Sequence, residues 1–168
     1  MATPTLGDII QAVGSPAEWA AVGVGSSLFS GYLNASVTGL NTSGATYSIS
    51  LTEYFDIGNN FSTDTYTAPV NGYYQVDFSV HCFPVGGNII DIIAAVLNSA
   101  GTWLTRGTRV NFTTGGYCGV NGSKLLYLAA GATVKLGLYY SISAGTLTIE
   151  GGGADITFIT IQLVSKAN

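Results

Sequence analysis

The sequence predicts an all-β domain built as a two-sheet sandwich and preceded by a short helical arm. Three observations predict it. From Ser27 onward, short runs rich in Val, Ile, Tyr, Phe and Thr alternate with clusters of Gly, Asn and Ser, at the spacing of a sandwich or barrel. Inside those runs apolar and polar residues alternate with period two, which gives each strand one face for a core. With 168 residues, 47% of them hydrophobic, the chain is long enough for one core and buries roughly two-thirds of its unfolded surface.

The arm comes first. Asp8-Ile9-Ile10-Gln11-Ala12-Val13-Gly14 reads as one or two helical turns, capped by Asp8 and stopped by Gly14. Ser15-Pro16-Ala17-Glu18 has the elements of a capping box, and Trp19, Ala20 and Val22 follow it on a short helix. Two such helices cannot stand alone in water, because isolated helices below ~12 residues are marginal. Residues 1–25 are therefore expected to dock on something through Leu6, Ile9, Ile10, Val13 and Trp19, either the rest of the domain over 26–168 or another protein.

The strands follow, expected over 28–36, 46–55, 72–82, 89–97, 103–112, 124–128, 133–141, 146–149 and 156–165. That number suits a jelly roll. Between Gly72 and Cys82 the residues Tyr74, Val76, Phe78 and Val80 share one face, the core face, while Tyr73, Gln75, Asp77, Ser79 and His81 share the other. Val134, Leu136, Leu138 and Tyr140 alternate in the same way with Lys135 and Tyr139. In the last run Ile156, Phe158, Thr160 and Gln162 lie on one face and Ile159, Ile161 and Leu163 on the other. Apolar weight on both sides predicts a strand covered on both faces, one of them by another subunit.

Composition narrows the function. Only 8% of residues are charged and the formal net charge is −4. Five Lys and Arg leave no basic patch for a phosphate backbone, so nucleic acid is not an expected partner. No stretch approaches the ~18 consecutive apolar residues of a membrane-spanning helix. So few charges point to a surface covered by like or unlike subunits. The N-terminus lacks the basic and long apolar regions of a secretory signal, and five Asn-x-Ser/Thr sequons then say only that these residues are common.

Catalysis finds little support. His81 is the only histidine, and its neighbour Cys82 points to the opposite face of the strand, so the two cannot act as base and nucleophile. The nine carboxylates are scattered singly. Asp56, Asp64 or Asp91 could in principle serve calcium but lack an ordered spacing, and no cofactor or metal is expected. Gly115-Gly116 and Gly151-Gly152-Gly153 lack the Lys and helix of a phosphate loop. Cys82 and Cys118 are expected to pack as small hydrophobes, with a single bridge between them as the alternative.

Longer motifs carry a resemblance. Phe55-Asp-Ile-Gly-Asn-Asn60 followed by Tyr66-Thr-Ala-Pro-Val-Asn-Gly-Tyr-Tyr-Gln-Val-Asp-Phe-Ser-Val80 resembles the central signature of the globular domain of complement component one, subcomponent q. That family shares its jelly roll with tumour necrosis factor. The segment from Ser123 to Leu138 is similar to its second block, and Ile156 to Val164 to its closing strand. The resemblance implies a ten-stranded, two-sheet jelly roll that forms a homotrimer, with the sheet of the first, third, sixth and last strands facing the threefold axis. Carried over, it implies Tyr73, Gln75, Lys135, Tyr139, Ile159, Ile161 and Leu163 on the interface side.

With the separate apolar arm and the low charge, these readings point to a non-enzymatic virion protein. The expected role is a trimeric bacteriophage capsid decoration or cement protein, anchored to the major capsid protein or another virion protein by residues 1–25. The alternative is a trimeric receptor-binding head of a phage fibre or spore filament that contacts a host surface glycan, for which Tyr- and Asn-rich loops are suited.

Overall fold

The computed structural model describes residues 27–42, 44–87, 89–112 and 116–167, so the helical arm expected over 1–25 lies outside the described residues. The described residues form thirteen strands: β1 (Leu28–Tyr32), β2 (Val37–Leu40), β3 (Ala45–Ser48), β4 (Thr52–Ile57), β5 (Phe61–Ser62), β6 (Thr65–Thr67), β7 (Gly72–Val85), β8 (Ile89–Leu97), β9 (Trp103–Phe112), β10 (Cys118–Leu128), β11 (Thr133–Ile142), β12 (Thr146–Ile149) and β13 (Phe158–Lys166). Every strand pairing is antiparallel.

Two sheets face each other. In the first, β10 runs along one edge of β7, while β13 and then β12 share the other edge; β1 and β4 continue beyond β13, and β2 beyond β12. In the second, β8 lies between β9 and β11, and β3 and β6 take the far edge of β11, with β5 beyond β6. The inward residues of both sheets make one core, led by Tyr66, Tyr74, Phe29, Phe78, Ile49, Ile92, Leu136, Leu138 and Ile149.

The turn before β7 sets this arrangement. Ala68 exchanges backbone hydrogen bonds with the β10–β11 turn, its N–H donating to Ala132 at 2.8 Å and its carbonyl accepting from Gly131 at 2.8 Å. The Asn71 carboxamide oxygen accepts from the Ala130 N–H at 2.8 Å, and the Tyr74 hydroxyl donates to the Val70 carbonyl at 2.8 Å. Gly72 then passes so close to β13 that a Cβ there would lie 2.7 Å from the Ser165 carbonyl oxygen. The turn thus delivers β7 in one register.

Thirteen strands replace the ten that the resemblance implies. The run expected over 46–55 is two strands, β3 and β4, which belong to different sheets. Between them Ile49 and Leu51 drop into the core, and the Asp64 carboxylate accepts the Leu51 N–H at 3.1 Å and the Ser50 hydroxyl at 2.9 Å. A continuous β pattern in the sequence cannot show where a chain crosses from one layer to the other. β10 starts at Cys118, six residues ahead of expectation, because pairing with β7 carries it through the Gly and Asn positions 119, 121 and 122.

Two predictions follow from the core. Ile161→Ala empties a fully buried site, and the expected loss is about 2–5 kcal/mol, seen as a thermal midpoint lower by roughly 5–15 °C. Alkaline pH should also destabilise the fold. Burial pushes the Cys82 thiol from 9.0 up to about 12, and the Tyr66 hydroxyl from 10.0 up to about 12 despite its hydrogen bond with Ser27. Both groups are raised in the folded state, so their contribution is complete below the unfolded values and is lost as pH climbs from about 9 to 12. A urea midpoint measured across that range should fall, and Cys82→Ala should flatten the early part of the decline.

Candidate assembly surface

The outer face of the first sheet is assembled by register. Cross-strand neighbours run in rows from β10 through β7, β13 and β1 to β4: Leu125, Gln75, Gln162, Leu28 and Ile57; then Ser123, Asp77, Thr160, Ser30 and Phe55; then Asn121, Ser79, Phe158, Tyr32 and Thr52. Of these fifteen positions only Asp77 carries a charge at neutral pH. Its carboxylate accepts from the Gln75 amide at 2.9 Å, and the same amide nitrogen donates to the Ser123 hydroxyl at 2.8 Å. The Thr160 hydroxyl donates to Ser30 at 3.4 Å. The middle of the face is therefore polar, self-satisfied and nearly uncharged.

Its margins are apolar. Tyr73 and Tyr127 pair edge to face at one end, with centroids 5.7 Å apart; Phe83 and Tyr117 lie 5.0 Å apart at the other, and Tyr32 meets Tyr54 at 6.2 Å on the β4 side. Among the described residues ten large apolar side chains stay exposed. Eight of them belong to this sheet or border it: Tyr54, Ile57, Tyr73, Val85, Tyr117, Leu125, Tyr127 and Val164. Exposed apolar groups gathered on one face of a sheet mark an interaction surface.

The seven interface residues implied by the resemblance do not share this face. Tyr73 and Gln75 lie on it. Ile159, Ile161 and Leu163 point the other way and are fully buried in the chain's own core, because β13 is registered with Ile159 opposite Phe78, Ile161 opposite Val76 and Leu163 opposite Tyr74, all core residues of β7. The outward positions of β13 are Phe158, Thr160 and Gln162, so the second apolar face expected of this strand is the single chain's own core face. Lys135 and Tyr139 lie on the outer face of the second sheet, since β11 belongs there. Sequence reading missed Leu125, Tyr127 and Ile57. Lys124-Leu-Leu-Tyr-Leu128 shows no clean alternation, and only the pairing of Leu125 with Gln75 and of Tyr127 with Tyr73 turns these two outward.

The remaining candidates are occupied or separated. Asp56 accepts the Phe61 N–H at 2.8 Å through one carboxylate oxygen, while the other is buried without a hydrogen-bond partner among the described residues. Asp64 holds the β3–β4 crossover and Asp91 pairs with Arg109 at 2.8 Å. These three carboxylates are not brought together, and no group of three or more potential metal ligands occurs among the described residues. His81 faces outward opposite Gly119, whereas Cys82 is buried in the core. Cys82 and Cys118 lie directly opposite each other on β7 and β10 as buried free thiols.

This is the class of two-sheet, all-β jelly rolls. Among solved structures, the chain shares its fold with the complement and tumour necrosis factor heads. It is similar to the globular domain of zebrafish complement 1qA (TM-score 0.54, 14% identity, covering 84% of this chain and 99% of that one). It is similar to murine APRIL (TM-score 0.59, 11% identity, covering 82% and 98%) and to the Eiger TNF of S. frugiperda (TM-score 0.57, 12% identity, covering 84% and 93%). No protein-family model and no curated protein matches the sequence.

Proposed function

We propose that this chain is a non-enzymatic structural protein that works as a homotrimer, with the outer face of its first sheet turned toward the threefold axis, and that the trimer decorates a virion shell to which residues 1–25 anchor it. The observation that carries the trimer is the collection of exposed apolar side chains on that one face. Covering it with water-excluding contacts stabilises by roughly 25 cal/mol per Å² of apolar area. The scarcity of ionised groups across the middle of the face limits the charge that has to be covered, which is costly to bury, to Asp77, hydrogen-bonded to Gln75. The threefold arrangement is what the complement-like motifs imply. The virion reading is supported by the low charge of the whole chain and by an apolar arm with its own capping signals.

Sedimentation at micromolar concentration is expected to give a species of three times the 17.3 kDa chain mass. Leu125→Lys combined with Tyr127→Lys should convert it to a folded monomer, because both side chains are more than half exposed in the single chain and are not needed for its core. A persistent trimer with that double change would place the interface elsewhere. Deletion of residues 1–25 is expected to leave the trimer intact while abolishing its attachment to particles. Normal occupancy of particles by the truncated protein would refute the anchor.

A further inference from the structure

The outer face of the second sheet has a different character. Strict alternation along β9 would turn residues 103, 105, 107 and 109 to one side. Two β-bulges change this. Arg109 lies opposite Ile93, Arg106 opposite Ala95, Thr105 opposite Val96 and Trp103 opposite Leu97, so one residue is inserted at Gly107 and another at Leu104. Trp103, Arg106 and Arg109, three residues apart, all turn outward. Gly107 is required for this, because a Cβ there would lie 2.2 Å from the Asn121 carbonyl oxygen on β10. Bulges of this kind commonly re-aim side chains beside functional sites.

What they gather is specific. Three of the chain's five basic residues, Arg106, Arg109 and Lys135, stand on this face, in a protein whose net charge is −4. Arg109 is neutralised by the buried Asp91, with its Nε donating to Oδ1 and its terminal amine to Oδ2, each at 2.8 Å. Arg106 and Lys135 make no ion pair with a described residue. The Arg106 guanidinium lies over the Trp103 ring, 5.2 Å from its centroid. Trp103 is itself held, its indole N–H donating to the Thr46 hydroxyl at 3.3 Å and its ring 6.0 Å from that of Tyr139. An exposed guanidinium with no ion pair among the described residues can offer its N–H groups to a planar anion. Between these groups the sheet is closed: Ala95 and Gly137, opposite each other, are buried, with the Leu97 side chain packed on Gly137, while Thr46 and Ser48 are exposed along the β3 side.

From this geometry we propose that the outer face of the second sheet binds a carboxylate-bearing sugar. The carboxylate pairs with the exposed guanidinium of Arg106, and the hydroxylated ring lies against Tyr139 and the exposed β3 residues Thr46 and Ser48. Lys135 stands two strands away, roughly 12 Å from Arg106 between Cα atoms, and takes an acidic group on a neighbouring residue of the glycan. Two cations without an ion pair among the described residues fit a sparsely charged, heavily hydroxylated ligand and are too few for a nucleic-acid backbone. The inference draws on the trimer reading only in that the first sheet faces inward and leaves this sheet outward; each copy carries a complete surface.

The full-length protein is titrated by two-dimensional NMR or calorimetry with sialyllactose and with a galacturonate trimer, and with lactose and an oligo-aspartate peptide as controls. The expected result is millimolar or tighter binding of an acidic sugar, at least tenfold weaker binding of lactose, and a loss of at least tenfold in Arg106→Gln with the trimer mass unchanged. Trp103→Phe, which keeps a ring but loses the indole N–H, should weaken binding several-fold. Absence of binding by both acidic sugars, equal binding of lactose, equal or tighter binding of the peptide, or full affinity in Arg106→Gln would each overturn the proposal. The Leu125→Lys, Tyr127→Lys variant separates the two readings, since a monomer that still binds acidic sugar leaves this site standing whatever becomes of the trimer.

Discussion

Strand β7 is the constraint on which the rest of the molecule depends. Its inward side, Tyr74, Val76, Phe78, Val80 and Cys82, is closed off from water, and both its edges are paired, to β10 on one side and to β13 and β12 on the other. A one-residue slip of β7 would drive Gln75, Asp77 and His81 into the core and expose five apolar side chains, so slipped registers are strongly disfavoured. With β7 fixed, the outward positions of its neighbours are fixed too. Leu125 and Tyr127 face out because they lie opposite Gln75 and Tyr73, and Ile161 faces in because it lies opposite Val76. The composition of the assembly face is a consequence of that register rather than of any single strand's own pattern.

The two outer faces solve the problem of low charge differently. The first keeps only Asp77 in its three middle rows, and hydrogen-bonds it to Gln75. The second concentrates Arg106, Arg109 and Lys135, and among the described residues only Arg109 is neutralised by an ion pair. Lys124 and Lys166, the remaining basic residues, lie on β10 and at the end of β13. A face emptied of charge suits contact with copies of itself, where like charges would meet across a symmetry axis. A face whose Arg106 and Lys135 have no ion pair among the described residues, in a net-negative protein, suits an anionic ligand and repels a second copy of itself.

Much of the fold was legible in the sequence because the period-two signal is strong where one face is wholly core. The patterns in β7 and β11 give their inward residues correctly, and the strands over 89–97, 103–112 and 146–149 have the expected bounds. The site was less legible. Ile159, Ile161 and Leu163 alternate with Phe158, Thr160 and Gln162, and alternation alone states that two faces differ without saying which one meets the core. That choice is made by the partner strand. Short edge strands such as β2 and β5 carry too few residues to show any period at all.

The bulges of β9 show where reading by alternation fails for a physical reason. Trp103, Arg106 and Arg109 are spaced by three, a spacing that in a regular strand scatters side chains to both faces. Here the insertions at Leu104 and Gly107 restore them to one face, and Gly107 is tolerated because β10 passes close enough to exclude any side chain. An inserted residue breaks the ladder and leaves backbone groups without strand partners, a cost that an ordinary edge strand has no need to bear twice in four residues. Arg109 alone would justify neither insertion, since its pairing with Asp91 occurs beyond both; the insertion at Gly107 puts Arg106 on the same face as Arg109. The second turns Trp103 to the same face as Arg106, whose exposed guanidinium lies 5.2 Å from the centroid of its ring. The distortion therefore builds an anion-reading group onto the sheet, on the side that the proposed trimer leaves open.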